Sequence, residues 1–130
     1  MSLAALPEGQ GDGVQANLVI EPPIATLPPQ AQADVLYSGC SPEQIAWAVP
    51  HGQPQALAPL GEPVALDGGI DDIDCYYVLC TEDRAIPIAL QRLMSTETPC
   101  REVVELACGH SPFFSATTEV AAILDGFARA

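Results

Sequence analysis

The sequence predicts an α/β fold, because its second half alternates strands with helices. Residues 75–80 form a continuous apolar run bounded by acids, which is typical of a strand covered on both faces. Residues 102–106 predict a second strand, and a helix that opens at Pro87 and runs to about Met94 lies between the two. We therefore expect a parallel pair of strands with a right-handed crossover and helices packed on its faces.

The last predicted helix covers residues 116–128. Its apolar residues recur at the i, i+3, i+4 and i+7 spacing of one helix face: Val120, Ile123, Leu124 and Phe127. We expect this face to pack on the sheet. A hydroxyl side chain near the first turn can cap the helix, and the candidates are Ser115, Thr117 and Thr118. Because two parallel strands do not make a stable sheet alone, the pair needs further strands.

The first half of the chain is predicted to be loop-rich, since most of the 13 prolines and 10 glycines lie before residue 70. Short strands are expected at 16–20 and 24–27, between prolines that suit edge or isolated two-stranded pieces. A short helix over 30–37 should close at Gly39. Residues 50–63 contain four prolines, and we expect an extended tether there.

Ser41 marks the clearest helix start. Ser41 can act as the N-cap, Pro42 suits the first helical position, and Gln44 follows three residues after the cap. The spacing predicts a helix over 42–49 that ends at Pro50.

Composition and charge exclude several classes of partner. The net charge is −13, with four arginines and no lysine, so the chain repels phosphate backbones and anionic lipid heads. We expect no nucleic-acid or membrane partner.

No apolar run reaches the roughly 20 residues of a membrane helix. The start of the chain lacks a basic region followed by a long apolar core, so we expect no signal peptide and a cytoplasmic location. Whether Met1-Ser2-Leu3 is native stays open.

The chain has five cysteines: Cys40, Cys75, Cys80, Cys100 and Cys108. None of them forms a C-x-x-C pair, and His51 and His110 add no metal-ligand spacing. We therefore expect buried free thiols and predict no metal or cofactor.

An acid and a histidine follow consecutive predicted strands. Asp83 lies just after strand 75–80, and Gly109-His110 follows strand 102–106. Because the strands are neighbours, Asp83 is the expected partner of one ring nitrogen of His110, where it would stabilise the imidazolium. This is how the acid and base of a Ser-His-Asp triad are delivered.

The residues alone leave other roles open for both side chains. His110 can be a loop histidine bonded to a backbone carbonyl, and Asp83 can cap the helix that begins near Pro87. Glu82 is a weaker candidate for orienting the imidazole, because strand alternation should turn it the other way.

The nucleophile of such a triad is missing. It would sit on a G-x-S-x-G elbow between a strand and a helix, and the 130 residues contain no such motif. Gly39-Cys40-Ser41-Pro42-Glu43 lacks the second glycine and follows no predicted strand. We therefore expect no appreciable esterase activity from the chain alone.

Residues 4–130 resemble the C-terminal half of an α/β-hydrolase, in the branch of the hydroxynitrile lyases and methyl esterases. Residues 81–87, TEDRAIP, resemble the T-x-D-x-x-I-P run of that branch, and Gln91 and Met94 follow on the next helix. Residues 109–115, GHSPFFS, resemble its Gly-His turn. Residues 41–48 and 54–60 resemble the mobile cap of the bacterial members. Residues 4–10 resemble the stretch after the sheet strand that precedes the cap.

The resemblance implies the C-terminal portion of an α/β-hydrolase fold, with two parallel strands, packed helices and a loop-rich cap. Residues 1–66 would form the cap-like segment, and residues 67–130 the strand–helix–strand–helix end of the sheet. Asp83 and His110 would be catalytic. The large side chains expected near the pocket either pack in the cap or line an acyl or aryl pocket: Trp47, Phe113 and Phe114.

The resemblance implies hydrolysis of a small apolar or aromatic ester. Cyanohydrin cleavage is less favoured, because the members of the branch that the resemblance links to this reaction have a lysine near the histidine, and this chain has no lysine. The serine would come from an N-terminal half in a separate chain, a longer gene product or a swapped partner. The alternatives are a non-catalytic binding domain that forms homo-oligomers through its sheet edge, and a decayed gene product.

Overall fold

The computed structural model describes residues 13–63 and 73–130. In chain order, the elements are α1 (Val14–Asn17), β1 (Val19–Glu21), β2 (Ile24–Thr26), α2 (Pro29–Ala31) with a π-helical turn (Gln32–Leu36), α3 (Pro42–Ala48) with a 3₁₀ turn (Val49–His51), β3 (Gln55–Ala56), α4 (Ala58–Gly61), β4 (Tyr76–Cys80), α5 (Ile88–Glu97), β5 (Glu102–Leu106), α6 (Pro112–Ser115) and α7 (Thr117–Ala128). The boundary expected at residue 66 and the stretch 4–10 lie outside the described residues.

Strands β4 and β5 form a parallel pair, as the sequence predicts. Their register runs from Tyr76 opposite Glu102 to Cys80 opposite Leu106. Burial along β4 increases toward its carboxyl end, where Leu79 and Cys80 are buried. Helix α5 connects the two strands, and α6 and α7 follow β5. This order confirms the predicted strand–helix–strand–helix arrangement of the second half.

The first half contains a three-stranded antiparallel sheet in the order β1-β2-β3. The strand expected at 16–20 is wrong in its first part, because Val14–Asn17 forms a helical turn closed by the Asn17 side-chain amide, which donates to the Gly13 carbonyl at 3.3 Å. The extended tether expected at 50–63 is also wrong. It supplies β3 and α4, and its Leu57 N–H donates to the Pro23 carbonyl at 2.9 Å.

The capping box at Ser41 is confirmed. The Gln44 N–H donates to Ser41 Oγ at 3.2 Å, and the Ser41 N–H donates to Gln44 Oε1 at 2.7 Å. The helix does not stop at Pro50 but tightens into the 3₁₀ turn Val49–His51, since the fixed φ of proline suits the start of such a turn. Gly39, at φ +81°, closes the preceding helical segment in the left-handed region that favours glycine.

Helix α7 differs from the sequence expectation at its start and on its apolar face. Its N-cap is Ala116 and no side chain caps it, because the Thr117 hydroxyl donates to the Phe113 carbonyl at 2.8 Å instead. No residue of α7 is fully buried, and Leu124 is 54% exposed. Phe127 does contact the sheet, with its ring centroid 4.7 Å from that of Tyr76. The apolar stripe is therefore only partly covered by the described part of the chain.

All five cysteines are free, with Cys80 and Cys108 buried and the other three half-buried. Within residues 13–63 and 73–130, no cluster of His, Cys, Asp and Glu side chains has the arrangement of a metal site. None of the helices in these ranges combines the length and apolarity that crossing a bilayer requires.

Candidate active site

Asp83 and His110 are in contact at the carboxyl ends of the parallel strands. His110 Nδ1 lies 2.9 Å from Asp83 Oδ2. The Asp83 side chain is 5% exposed and that of His110 is 32% exposed. An ionised carboxylate can only accept hydrogen bonds, so Nδ1 carries the proton and Nε2 is the ring position left to accept another. The arrangement combines a buried orienting carboxylate with an imidazole that reaches the surface.

The backbone ladder continues past both strands and sets this contact. The Thr81 N–H donates to the Leu106 carbonyl at 2.9 Å, and the Glu82 N–H donates to the Cys108 carbonyl at 3.0 Å. Asp83 and His110, which follow these paired residues, therefore lie next to each other at the carboxyl ends of β4 and β5.

The second carboxylate oxygen of Asp83 is held by the backbone. Asp83 Oδ1 accepts hydrogen bonds from the N–H groups of Ala85 at 2.7 Å and Ile86 at 2.9 Å. The suggested cap of the helix near Pro87 is wrong, because α5 has Pro87 as its N-cap with no side-chain cap bond. Asp83 closes the turn before that helix instead. Glu82 is exposed, and the carboxylate that contacts His110 is that of Asp83.

These contacts keep Asp83 ionised. Burial raises the pKa of the Asp83 carboxyl, but the hydrogen bond to His110, the N–H groups of Ile86 and Ala85, and the charge of His110 together outweigh burial. The resulting pKa lies below its usual value. At neutral pH the carboxylate can therefore fix the imidazole tautomer and stabilise an imidazolium.

Gly109 lets the His110 turn approach the loop after the π-helical turn. A Cβ at Gly109 would collide with the Ser38 carbonyl oxygen and would lie 2.7 Å from Ser38 Oγ, a buried hydroxyl to which the described residues offer no hydrogen-bond partner. Ser111, next to His110, is buried, and its hydroxyl donates to the Leu36 carbonyl at 2.7 Å. Sequence analysis missed these contacts, since Ser111 and Leu36 are 75 residues apart.

Gln91 on α5 is a positioning residue that the sequence pattern did not reveal. It is 2% exposed. Its Oε1 accepts from the Cys80 N–H at 2.9 Å, and its Nε2 donates to the Cys80 carbonyl at 2.9 Å and to the Ile86 carbonyl at 2.7 Å. Gln91 thereby ties the end of β4 to the turn that holds Asp83. The only sequence signal was its place in the motif that resembles the hydrolases.

The buried thiols near the pair are not activated nucleophiles. Burial and the neighbouring Cys108 thiol raise the pKa of Cys80 to about 12, and burial raises the pKa of Cys108. Both stay protonated at neutral pH, and the thiolate is the reactive form. The Ser111 hydroxyl is engaged with a carbonyl. The contact thus pairs an imidazole with a buried carboxylate, and neither of these protonated thiols is an activated nucleophile.

The predicted pocket aromatics form one cluster. Phe114 lies 5.7 Å from Trp47 and 5.4 Å from Phe113 between ring centroids. The Gln44 side-chain amide donates to the Phe114 carbonyl at 2.6 Å and so joins α3 to α6. Trp47 is 58% exposed and Phe113 is 61% exposed. The cluster adjoins the His110 turn in the chain, and its part in substrate binding stays a prediction.

A cleft of about 650 Å³ opens at the carboxyl end of β4. Its walls include Thr81, Asp83, Arg84 and Pro87 from the segment after β4, with Asp34 and Val35 facing them. Asp83 therefore borders both the cleft and the imidazole of His110. The lining of this cleft does not include Trp47, Phe113 or Phe114.

Comparison with known proteins agrees with this architecture. The model of the alpha/beta hydrolase family matches residues 3–123. A pyrethroid hydrolase of Sphingobium wenxiniae is 35% identical over 79 residues, which make up 60% of this chain and 28% of that protein. A putative chloroplastic methylesterase 11 of Arabidopsis thaliana is 32% identical over 84 residues, or 63% of this chain and 22% of that protein.

Solved structures give the same result. A pyrethroid hydrolase from Sphingobium faniae superposes with a TM-score of 0.76 at 26% identity, covering 96% of this chain and 53% of that one. Polyneuridine aldehyde esterase superposes with a TM-score of 0.72 at 20% identity, covering 85% of this chain and 47% of that one, which supports the fold alone. The chain thus spans about half the length of these solved relatives. The expected C-terminal portion of the fold is confirmed, the similarity to methylesterases agrees with the expected branch, and the chain belongs to the alpha/beta hydrolase family.

Proposed function

We propose that this chain supplies the acid and the base of a Ser-His-Asp esterase, and that the serine comes from a polypeptide segment outside these 130 residues. The observation that carries the proposal is the 2.9 Å contact between His110 Nδ1 and the buried Asp83 carboxylate. Membership of the alpha/beta hydrolase family supports it, as do relatives named as a pyrethroid hydrolase and methylesterases.

In the completed enzyme, His110 Nε2 takes the proton of the serine as that oxygen attacks the ester carbonyl. Asp83 stabilises the imidazolium that forms. The imidazolium then returns the proton to the leaving alcohol, which leaves an acyl-enzyme. Water, deprotonated by His110, hydrolyses the acyl-enzyme and frees the serine.

These 130 residues contain no G-x-S-x-G motif to supply the serine nucleophile and the oxyanion donors beside it. His110 could at most assist a water molecule, without donors placed at the developing oxyanion. Each missing donor of that kind costs about 10²–10³ in rate. We therefore infer that the isolated chain is inactive.

The proposed substrate is a small carboxylic ester with an apolar or aromatic group. The aromatic cluster of Trp47, Phe113 and Phe114 offers an apolar surface beside the His110 turn. Methylesterases and a pyrethroid hydrolase among the relatives support an ester substrate. Cyanohydrin cleavage stays less favoured, since the chain has no lysine.

A second candidate is a non-catalytic domain that forms homo-oligomers. The partly covered apolar stripe of α7, in which Leu124 is 54% exposed, favours it. In that case the chain would show a stable oligomer and no hydrolysis with any complementing half.

The test is complementation. The chain is mixed with the part of the Sphingobium wenxiniae pyrethroid hydrolase that precedes its region of similarity, and hydrolysis of an activated aryl ester is measured. We expect a rate above that of either piece alone, together with fluorophosphonate labelling of a serine in the added piece. His110→Ala should abolish the rate gain, while His51→Ala, the matched change at the other histidine, should keep it. Equal rates in the two variants would contradict the proposal.

A further inference from the structure

The aromatic cluster brings rings from two separate helices together at the surface. Phe114 of α6 is its centre, with Trp47 of α3 at 5.7 Å and Phe113 at 5.4 Å between ring centroids. Tyr37, the residue after the π-helical turn, meets Phe114 edge-on at 6.3 Å. Trp47 and Phe113 are both more than half exposed. A ligand in solution therefore has direct access to two adjoining aromatic side chains.

Hydrogen bonds to the backbone fix the cluster before any ligand arrives. The Gln44 side-chain amide donates to the Phe114 carbonyl at 2.6 Å, and the Thr117 hydroxyl donates to the Phe113 carbonyl at 2.8 Å. A site that is already ordered loses less conformational entropy on binding. Phe113 follows His110 by three residues, so the cluster begins at the turn that carries the candidate base.

The charge of the chain favours a cationic ligand at this surface. The net charge is −13 and there is no lysine, so the field of the chain attracts cations and repels anions. Three of the four arginines are held by carboxylates on other elements, in the pairs Arg92–Glu105, Arg101–Asp74 and Arg129–Asp125.

Glu43 places a negative charge on the same helix as Trp47. The two residues are four apart on α3, which puts them on one face of that helix. The N–H of Glu43 and the Ser41 hydroxyl hold the pKa of the Glu43 carboxyl below its usual value. This carboxylate is therefore ionised at neutral pH.

We propose that the aromatic cluster binds a quaternary ammonium group, and that the ester substrate of the completed enzyme carries such a cation. The electron-rich faces of tryptophan and phenylalanine attract cations. A quaternary ammonium has no N–H group, so it needs no hydrogen-bond acceptor, and its methyl groups pack on the rings. It therefore suits a surface of aromatic rings with one nearby carboxylate. The claim about the ester rests on the proposed function, whereas binding of the cation requires this chain alone.

Trp47 provides a direct probe, because it is the only tryptophan of the chain. Its fluorescence is measured during titration with choline chloride, at an ionic strength held constant with sodium chloride. The comparison ligand is the uncharged isostere of choline, in which a tert-butyl group replaces the trimethylammonium. We expect a saturable change with both ligands and an affinity for choline that is higher by about threefold or more.

Two phenylalanine variants locate the site. Phe113→Leu keeps an apolar side chain but removes the ring, and the exposure of Phe113 makes this change compatible with folding. We expect its affinity for choline to fall by about threefold or more, to that of the isostere. Phe127→Leu is the matched control, since Phe127 lies in α7 against Tyr76, and it should bind choline as the unaltered chain does. Circular dichroism checks that both variants fold.

Two acidic residues test the contribution of charge. Glu43→Gln should weaken choline binding by about twofold and leave binding of the uncharged isostere unchanged. Glu119→Gln is the control, because Glu119 is likewise an acid in the first turn of a helix, and it should affect neither ligand.

Equal affinities for choline and its isostere would overturn the proposal, as would equal losses in Phe113→Leu and Phe127→Leu. The ester is tested after addition of the Sphingobium wenxiniae piece, with acetylcholine and its uncharged isostere as substrates. We expect kcat/KM to favour acetylcholine by about threefold or more, and Phe113→Leu to remove this preference. Equal kcat/KM for the two esters would contradict the inference and leave the proposed function in place. Preferential choline binding without hydrolysis of either ester would keep the cation site and count against the proposed function.

Discussion

Asp83 divides its two carboxylate oxygens between the backbone and the imidazole. One oxygen closes the turn through Ala85 and Ile86, and the other holds His110. Structural and proposed catalytic roles therefore coincide in one side chain. The sequence predicted the pairing with His110 from strand order, but not the turn, because the competing helix cap was equally compatible with the spacing.

Stability should depend on the charge of Asp83. The folded-state pKa lies below the usual value, so the stabilisation is present above the unfolded-state pKa of about 3.9 and is lost as pH falls through the folded-state pKa. Asp83→Asn should lower the free energy of unfolding by about 1–2 kcal/mol at pH 7 and should flatten its acid dependence. Urea unfolding at a series of pH values measures both effects. Asp125→Asn, at an exposed ion pair with Arg129, is the control and should change stability by less than about 1 kcal/mol.

Gly109 should tolerate no side chain. Gly109→Ala places a Cβ against the Ser38 carbonyl and hydroxyl, and we expect a loss of about 1–3 kcal/mol in thermal or urea unfolding. Gly126→Ala is the matched change, because a Cβ there meets nothing within 4 Å and the residue lies in α7. It should stabilise by about 0.5–1 kcal/mol. Equal effects of the two changes would show that the close approach at Gly109 does not matter.

Among the elements, the sequence identified β4 by its continuous apolar run, α5 by the proline before it and α7 by its helical spacing of apolar residues, and β5 was also predicted as a strand. The same reasoning failed at α1, β3 and α4. These elements have four residues or fewer, and contacts to distant residues such as the bond from Leu57 to Pro23 decide their conformation. The predicted side-chain cap of α7 is wrong for a local reason, because the Thr117 hydroxyl donates to the carbonyl of Phe113, four residues earlier in the chain.

Gln91 joins α5 to β4 and should be the most sensitive polar residue of these elements. Gln91→Ala leaves the N–H and carbonyl of Cys80 and the carbonyl of Ile86 without partners in a buried place. We expect a loss of about 3 kcal/mol in the free energy of unfolding. Gln30→Ala, which removes an exposed bond to Asp34, should change it by less than about 0.5 kcal/mol. A loss below 1 kcal/mol at Gln91 would contradict its role as the tie between these elements.

At the scale of the whole molecule, the described elements leave a strand edge and several apolar side chains uncovered. Within residues 13–63 and 73–130 no further strand pairs with the outer edge of β4, and Leu124, Trp47 and Phe113 are more than half exposed. The chain spans about half the length of its solved relatives, and in the proposed completed enzyme the remaining part of the fold would lie beside these surfaces. The absence of a G-x-S-x-G elbow was visible in the sequence. The surfaces that stay open were not, since they depend on how segments distant in the chain pack together.

The central claim is that the chain holds a base and an orienting acid without a nucleophile. The most direct test is the rate of hydrolysis of an activated aryl ester by the pure chain, compared with its His110→Ala variant. We expect both rates to equal that of buffer with an unrelated protein, and only the unaltered chain to gain activity when the serine-bearing piece is added. A clear rate from the pure chain that disappears in His110→Ala would contradict the account.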